Sequence, residues 1–305
     1  MLDSPPDRVS VYEVSARDGL QNEASPISTE AKQRLVEALV KAGLTRIEVS
    51  SFVSPRWIPQ LADAEELLAS LKAPEGVTFS ALCPNARGFE RAKACGLKEI
   101  AVFMSASETH NQKNTNKSTE ASLRVFREVV PPALEAGMQV RAYVSTVWGC
   151  PYEGDVAPER SLDITRALLE MGCYQVSLGD TIGVGTPIQT RELGKLFLKE
   201  FDQEKLALHL HDTRGTALAN ALVGLDLGFR NFDASVAGLG GCPYAPGAAG
   251  NLATEDLVYM LHGMGIETGI DLELLVEAGR VAEAVVGRRL PGKVHQAGVS
   301  SRRAI

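Results

Sequence analysis

A chain of 305 residues, 45% hydrophobic and 23% charged, has the composition of a globular protein, which excludes disordered and fibrous classes. Its formal net charge of −7, with no basic cluster longer than a pair such as Arg302-Arg303, excludes nucleic acid as a partner. No apolar run approaches the ~20 residues a membrane helix needs, so no membrane association is expected.

The first residues, Met1-Leu2-Asp3-Ser4-Pro5-Pro6-Asp7, carry neither the basic and apolar regions of a secretory signal nor the Arg-rich pattern of a transit peptide. The cysteines are Cys83, Cys95, Cys150, Cys173 and Cys242, an odd number without CxxC spacing, which points to a reducing compartment. A cytoplasmic protein is expected.

Taken in chain order, the elements repeat one pattern. A helical stretch closes on Gly, and an apolar, β-branched run begins within a few residues, as from Gly43 to Ile47-Glu48-Val49. Gly just past a helix relieves the left-handed cap, and the short run after it reads as a buried strand. Strands are predicted at 9–14, 45–50, 77–82, 98–104, 138–145, 173–178, 205–211 and 231–237. Helical spacing fills 30–40, 62–71, 118–136, 160–170, 191–201 and 217–225. Strict alternation of eight strands with helices makes an α/β protein of the (β/α)8 barrel type. An open doubly wound sheet would want a glycine-rich phosphate loop after strand one, and Ser15-Ala16-Arg17-Asp18-Gly19 is not one. A single catalytic domain over 1–305 is expected, the barrel occupying about 8–265. Beyond it, 271–286 reads as a further helix that packs on the barrel or on a second copy of the chain. The tail from Pro291 is expected to be mobile.

In a barrel of this type, the carboxyl ends of the strands and the loops after them hold the active site. Strand seven closes on His209-Leu210-His211-Asp212. Residues two apart in a strand face the same way, so the two imidazoles share one face and Leu208 and Leu210 the other. A pair of inward histidines suits a metal; two hydrogen-bonded core histidines are the alternative. Strand one leads into Arg17-Asp18-Gly19, and only strand eight separates it from strand seven, so Asp18 can reach the histidines. Its alternative is a turn residue before Gly19. After strand eight, residues 238–251 form a glycine-rich stretch, costly in backbone entropy and typical of a functional loop. Asn251 at its end either caps the next helix or lends its amide oxygen to the metal. Two imidazoles, one carboxylate and one amide oxygen suit octahedral Mg²⁺ or Mn²⁺ better than tetrahedral Zn²⁺. Glu48 on strand two, with Glu13 and Asp180 as similar inward carboxylates, is the expected partner of Arg17. The polar stretch 105–118, with Asn111, Lys113 and Lys117, reads as a loop, solvated or facing phosphates.

Four segments together resemble the motifs of the 3-hydroxy-3-methylglutaryl-CoA lyases, over most of the chain. They are Arg17-Asp18-Gly19-Leu20-Gln21-Asn22-Glu23, Ser177-Leu178-Gly179-Asp180-Thr181-Ile182-Gly183-Val184-Gly185-Thr186-Pro187, His209-Leu210-His211-Asp212-Thr213 and Gly240-Gly241-Cys242-Pro243-Tyr244-Ala245-Pro246-Gly247. The His pair is shared with a wider group of metal-dependent lyases and Claisen-condensing synthases; the Cys242 loop is much narrower. Ser15-Ala16 departs from the Gly-Pro usual in the family, in a backbone lead-in rather than a reacting group. The resemblance implies Asp18, His209, His211 and Asn251 as ligands of a divalent metal. It implies Arg17 as the electrophile, Cys242 as the acid on a mobile loop, Asp18 and Glu48 as further catalytic carboxylates, and Gln21, Asp180 and Thr181 beside the substrate. The implied reaction cleaves hydroxymethylglutaryl-CoA to acetyl-CoA and acetoacetate, as in leucine degradation. A small-molecule acyl-CoA is thus the expected partner, and a homodimer the expected assembly. The alternatives are a lyase for a longer-branched hydroxyglutaryl-CoA, a condensing synthase, and a silent binding module.

Overall fold

In a computed structural model, which describes residues 6–241 and 250–299, eight parallel strands close into a barrel in sequence order. The strands are β1 (Ser10–Glu13), β2 (Arg46–Ser51), β3 (Thr78–Leu82), β4 (Glu99–Ser105), β5 (Gln139–Ser145), β6 (Gln175–Asp180), β7 (Leu206–Leu210) and β8 (Asn231–Ala234). The first helices are α1 (Thr29–Lys41), α2 (Ala64–Ser70), α3 (Ala86–Ala94), α4 (Glu108–Thr115), α5 (Thr119–Arg127) and α6 (Val130–Glu135). They are followed by α7 (Pro158–Glu170), α8 (Pro187–Glu200), α9 (Ala217–Leu227), α10 (Thr254–Gly263), α11 (Leu272–Val286) and α12 (Lys293–Ala297). Gly43, Gly96, Gly137, Gly172 and Gly228, which follow α1, α3, α6, α7 and α9, all take positive φ. That is the left-handed stop that the repeated Gly-then-strand pattern requires.

Alternation along the strands sorts the side chains into two cores. Val140, Ala142, Val176, Leu178, Leu208 and Leu210 belong to the main apolar core under the helices. The opposite faces fill the lumen with polar groups that bond across it. Tyr12 Oη lies 2.5 Å from Ser80 Oγ and donates to Glu99 at 2.7 Å, and Arg141 reaches Asp233. A polar lumen closed off from water is stable only if its groups satisfy one another, which these do.

Several expectations need correcting. The stretch 118–136 is two helices, because Pro131 and Pro132 lack N–H groups and sit at the start of α6 instead of inside a longer helix. The stretch 105–118 contains α4, capped by Ser107 and burying His110 and Asn111, rather than a plain loop. The tail is ordered through α12, whose first N–H groups, Lys293 and Val294, bond the Asp256 carboxylate at 3.0 and 2.6 Å. Asn251 is not a helix cap: α10 begins at Thr254 after Ala253, with no capping side chain. The helix at 271–286 packs on the barrel, with Leu275, Ala278 and Ala282 buried and the Asp271 N–H on Ala42 O. Among the described residues, no helix is long and apolar enough to cross a membrane.

Candidate active site

After β1 the chain makes one wide π-type turn, Ser15–Gly19, in which the N–H groups of Arg17, Asp18 and Gly19 converge on Val14 O. Such turns often mark functional positions, and this one delivers Arg17 and Asp18 to the barrel mouth. Gly19 is needed for close packing: a Cβ there would lie 2.9 Å from Leu239 Cγ.

Arg17 is 6% exposed and clamped. Its Nε donates to Glu48 Oε2 at 2.5 Å and its Nη1 to Asp18 Oδ1 at 2.8 Å, while its guanidinium lies 5.3 Å from the centre of the Tyr143 ring. Tyr143 Oη also donates to Glu48 Oε2, at 3.2 Å. Burial acts against the charge of Arg17, yet Glu48 and Asp18 outweigh it and hold the guanidinium firmly protonated. Among the described residues no hydrogen bond engages Nη2, so one arm of the fork is left for another acceptor.

Asp18 is the hub. Its Oδ1 also accepts from Gln21 Nε2 at 2.8 Å, and its Oδ2 accepts from Asn251 Nδ2 at 2.9 Å. Burial alone would raise this carboxyl, but Arg17 and the two imidazoles bring it down to about 2. The Nε2 atoms of His209 and His211 stand 3.2 Å apart, and Asp18 Oδ2 lies 3.9 Å from His209 Nε2. Asp18, His209 and His211 each offer one ligand atom, all within 4.8 Å of one another, so the three can hold a metal ion.

The tautomer of His209 follows from what lies behind it. Its Nδ1 is 3.2 Å from Asp233 Oδ2, and Asp233 is an ionised carboxylate held by Arg141 at 2.6 and 3.2 Å and by Ser177 Oγ at 2.6 Å. Burial opposes that ionisation; Arg141 and then His209 override it and set Asp233 well below the usual carboxylate range. The proton of His209 therefore sits on Nδ1, and the lone pair of Nε2 faces the mouth. Burial and then His209 lower His211 to about 4, so its ring is neutral and able to donate a lone pair. Two ring nitrogens facing each other with lone pairs are complementary to a cation, and the donor set fits one.

The remaining expected residues are placed as follows. Asn251 is beside Asp18, but it presents its Nδ2, which also donates to Leu239 O at 3.2 Å; its oxygen reaches a shared ion only with the amide turned over. Asp180 is tied to its own loop: its two oxygens accept the N–H groups of Val184 and Gly185 at 3.0 and 2.9 Å and fix the loop after β6. Thr181 Oγ1 likewise accepts the Thr146 N–H at 2.8 Å. Glu13 does not approach Arg17 but serves Ser15 N, Val236 N and Thr254 Oγ1. Cys242 lies outside the described residues. Arg141, Tyr143 and Asp233 escaped the reading of the sequence, although charges at alternate positions in apolar runs such as Val140-Arg141-Ala142 and Phe232-Asp233-Ala234 were the signal for a polar lumen.

The chain is matched over residues 8–282 by the family model described as HMGL-like. It is 50% identical over 292 residues to the mitochondrial hydroxymethylglutaryl-CoA lyase of Bos taurus, covering 96% of this chain and 90% of that protein. The crystal structure of hydroxymethylglutaryl-CoA lyase from Pseudomonas aeruginosa superposes with a TM-score of 0.94 at 50% identity, over 96% of this chain and 98% of the other. An HMG-CoA lyase from Acinetobacter baumannii, in complex with coenzyme A and 3-methylmalate, superposes at 0.92 with 38% identity, over 97% of each chain. With the same closed barrel and half of its residues shared along nearly its whole length, this chain belongs to the HMGL-like family and is a carbon–carbon lyase.

Proposed function

We propose that the chain cleaves 3-hydroxy-3-methylglutaryl-CoA to acetyl-CoA and acetoacetate. The observation that carries the reading is the clamped Arg17, its Nη2 unengaged among the described residues, standing beside the Asp18–His209–His211 cluster at the barrel mouth. In this retro-Claisen reaction the C3 hydroxyl loses its proton, the C2–C3 bond breaks, and its electron pair becomes a thioester enolate that is protonated at C2. Asp18, His209, His211 and, through its amide oxygen, Asn251 would hold a divalent ion, Mg²⁺ or Mn²⁺. When bound, that ion supplies Lewis acidity and a template for the hydroxyl and carboxylate oxygens.

The chain's own groups then do the following. Arg17 presents Nη2 to the oxygen of the thioester as charge develops on it. Held by Glu48 and Asp18 before the reaction starts, it needs no reorganisation. Gln21 keeps Asp18 from rotating away. Asp233 and Arg141 fix the ring of His209 with its lone pair outward. Cys242, next to the described stem residue Gly241, is the donor we assign to C2. Asp180 and Thr181 shape the wall of the mouth through the loop after β6 and the Thr146 N–H.

The acyl-CoA class of substrate is supported by the coenzyme A bound in the Acinetobacter relative. A cytoplasmic setting is the one we assign. Leucine breakdown is the context we assign, and a homodimer is the proposed assembly, read by light scattering. The decisive test is incubation with hydroxymethylglutaryl-CoA and Mg²⁺, with and without EDTA. Acetoacetate that disappears on chelation is the expected result, and product independent of metal removes the ligand assignment.

A further inference from the structure

Strand alternation gives β3, β4 and β5 an inner face that turns apolar toward the mouth. On β4, Ile100, Val102 and Met104 belong to the core under the helices, so Glu99, Ala101, Phe103 and Ser105 line the lumen in ascending order. Glu99 is part of the polar floor, where it accepts from Tyr12 at 2.7 Å. Above it, Leu82 of β3, Ala101 and Tyr143 of β5 pack into a small apolar group separate from the main core, and Val53 and Phe103 pack against it. Ser105, the next inward position, closes the apolar stretch, its Oγ 2.6 Å from His110 Nδ1.

Leu82, Ala101 and Tyr143 are buried, whereas Val53 and Phe103 are only half-buried and present apolar surface to the mouth. Phe103 is the register partner of Tyr143 on the neighbouring strand. The Tyr143 ring joins this wall to the reacting groups: its centre lies 5.3 Å from the guanidinium of Arg17 and 6.1 Å from that of the His209 ring, which it meets edge-on. The mouth is thus divided. Asp18, His209 and His211 hold the side of β1 and β7, and the apolar wall holds the side of β3 to β5. The one polar side-chain atom of the wall, Tyr143 Oη, is spent on Glu48 Oε2 at 3.2 Å. A charged or hydrogen-bonding group placed there would be desolvated without compensation, so the wall suits an alkyl group.

The cleavage reaction supplies one. C3 of the substrate carries a hydroxyl, a carboxymethyl arm, a thioester arm and a methyl. The first two take their oxygens to the ligand cluster, and the third takes its oxygen to Arg17. With three arms held, the tetrahedron fixes the fourth, pointing away from those polar groups. The apolar face that adjoins them is this wall.

We propose that Val53, Leu82 and Phe103 receive the C3 methyl, and that Phe103 sets the length of branch the site accepts, which makes these three the residues that determine substrate specificity. This role rests on the lyase reading of the site. One methylene more or less in an apolar pocket is worth about 10–200-fold in kcat/KM, so the effect is read in ratios between substrates. An ethyl branch needs the room that the Phe103 ring fills, and overpacking opposes it.

Steady-state kinetics on 3-hydroxyglutaryl-CoA and on its 3-methyl and 3-ethyl homologues tests the wall. The wild-type chain is expected to favour methyl over hydrogen, and methyl over ethyl, by roughly tenfold or more in kcat/KM. Phe103→Ala is expected to raise the ethyl-to-methyl ratio by roughly tenfold or more and to leave inhibition by free CoA unchanged. A ratio that stays at the wild-type value overturns the role, as do equal rates of the wild type on the methyl and hydrogen forms. Weaker CoA inhibition with constant ratios gives the wall to the pantetheine arm and overturns it too. Should Phe103→Ala fail to fold, Val53→Ala, at the other half-buried position, is read by the same ratios. A wild-type chain that cleaves none of the three thioesters overturns the lyase reading. Calorimetric binding of 3-hydroxy-3-methylglutarate and 3-hydroxyglutarate with Mn²⁺ then decides the wall. Tighter binding of the methylated acid by the wild type, lost in Phe103→Ala, is the expected result; equal or undetectable binding overturns it.

Discussion

Arg17 concentrates the residue-scale chemistry, because its three nitrogens are used differently: two are tied to carboxylates and, among the described residues, one is open. A donor fixed before charge develops contributes through preorganisation, so Arg17→Gln is expected to cut kcat by roughly 10²–10³-fold with the fold intact. Steady-state kinetics beside a circular dichroism spectrum checks both halves, and near-normal turnover removes Arg17 from the role. Asp233 acts one shell further out. Asp233→Asn keeps the shape but replaces a carboxylate by an amide behind His209 and leaves Arg141 buried without its counter-charge. Weaker Mn²⁺ binding by about 10–100-fold is expected, measured by isothermal titration calorimetry; unchanged affinity would mean that the tautomer of His209 is set elsewhere.

At the scale of elements, the histidine pair depends on how tightly β7 is held by the helices outside it. Gly224 of α9 is the contact point: a Cβ there would lie 2.3 Å from Leu208 Cδ1, and Leu208 precedes His209. Gly224→Ala must push β7 or α9, at a cost of about 1–3 kcal/mol for overpacking, so thermal unfolding is expected several degrees lower. An unshifted midpoint would show that α9 moves freely. The sequence carried much of this level. The strands were legible because each buried run is short, β-branched and announced by a helix-ending Gly, and the His209/His211 face followed from the two-residue period. What it did not carry was interaction at a distance. Asp180 reads like any carboxylate at a strand end, and only the folded loop shows that Val184 and Gly185 use both its oxygens. Likewise α12 is five residues long and too short for periodicity to show; it is ordered by Asp256, 37 positions before Lys293.

Across the whole molecule, buried charges of opposite tendency shape the dependence of stability on pH. Asp18 and Asp233 have folded values below their ordinary ones, so they contribute stability above about pH 4 that is lost as the pH falls through the acid range. Glu255 is the reverse case. Its value rises from 4.5 unfolded to about 8 folded, so its contribution is complete below pH 4.5 and lost as the pH climbs through about 8. The unfolding temperature is therefore expected to decline between about pH 7 and 9, above the range in which the two aspartates and His211, lowered from 6.5 to about 4, contribute slope of the opposite sign. Glu255→Gln keeps an oxygen for the Ala237 N–H and has no proton to lose, so it should flatten that alkaline limb while leaving the acid limb in place. Calorimetry of both proteins across pH 3–9 measures the difference, and parallel curves would place the alkaline loss on another group.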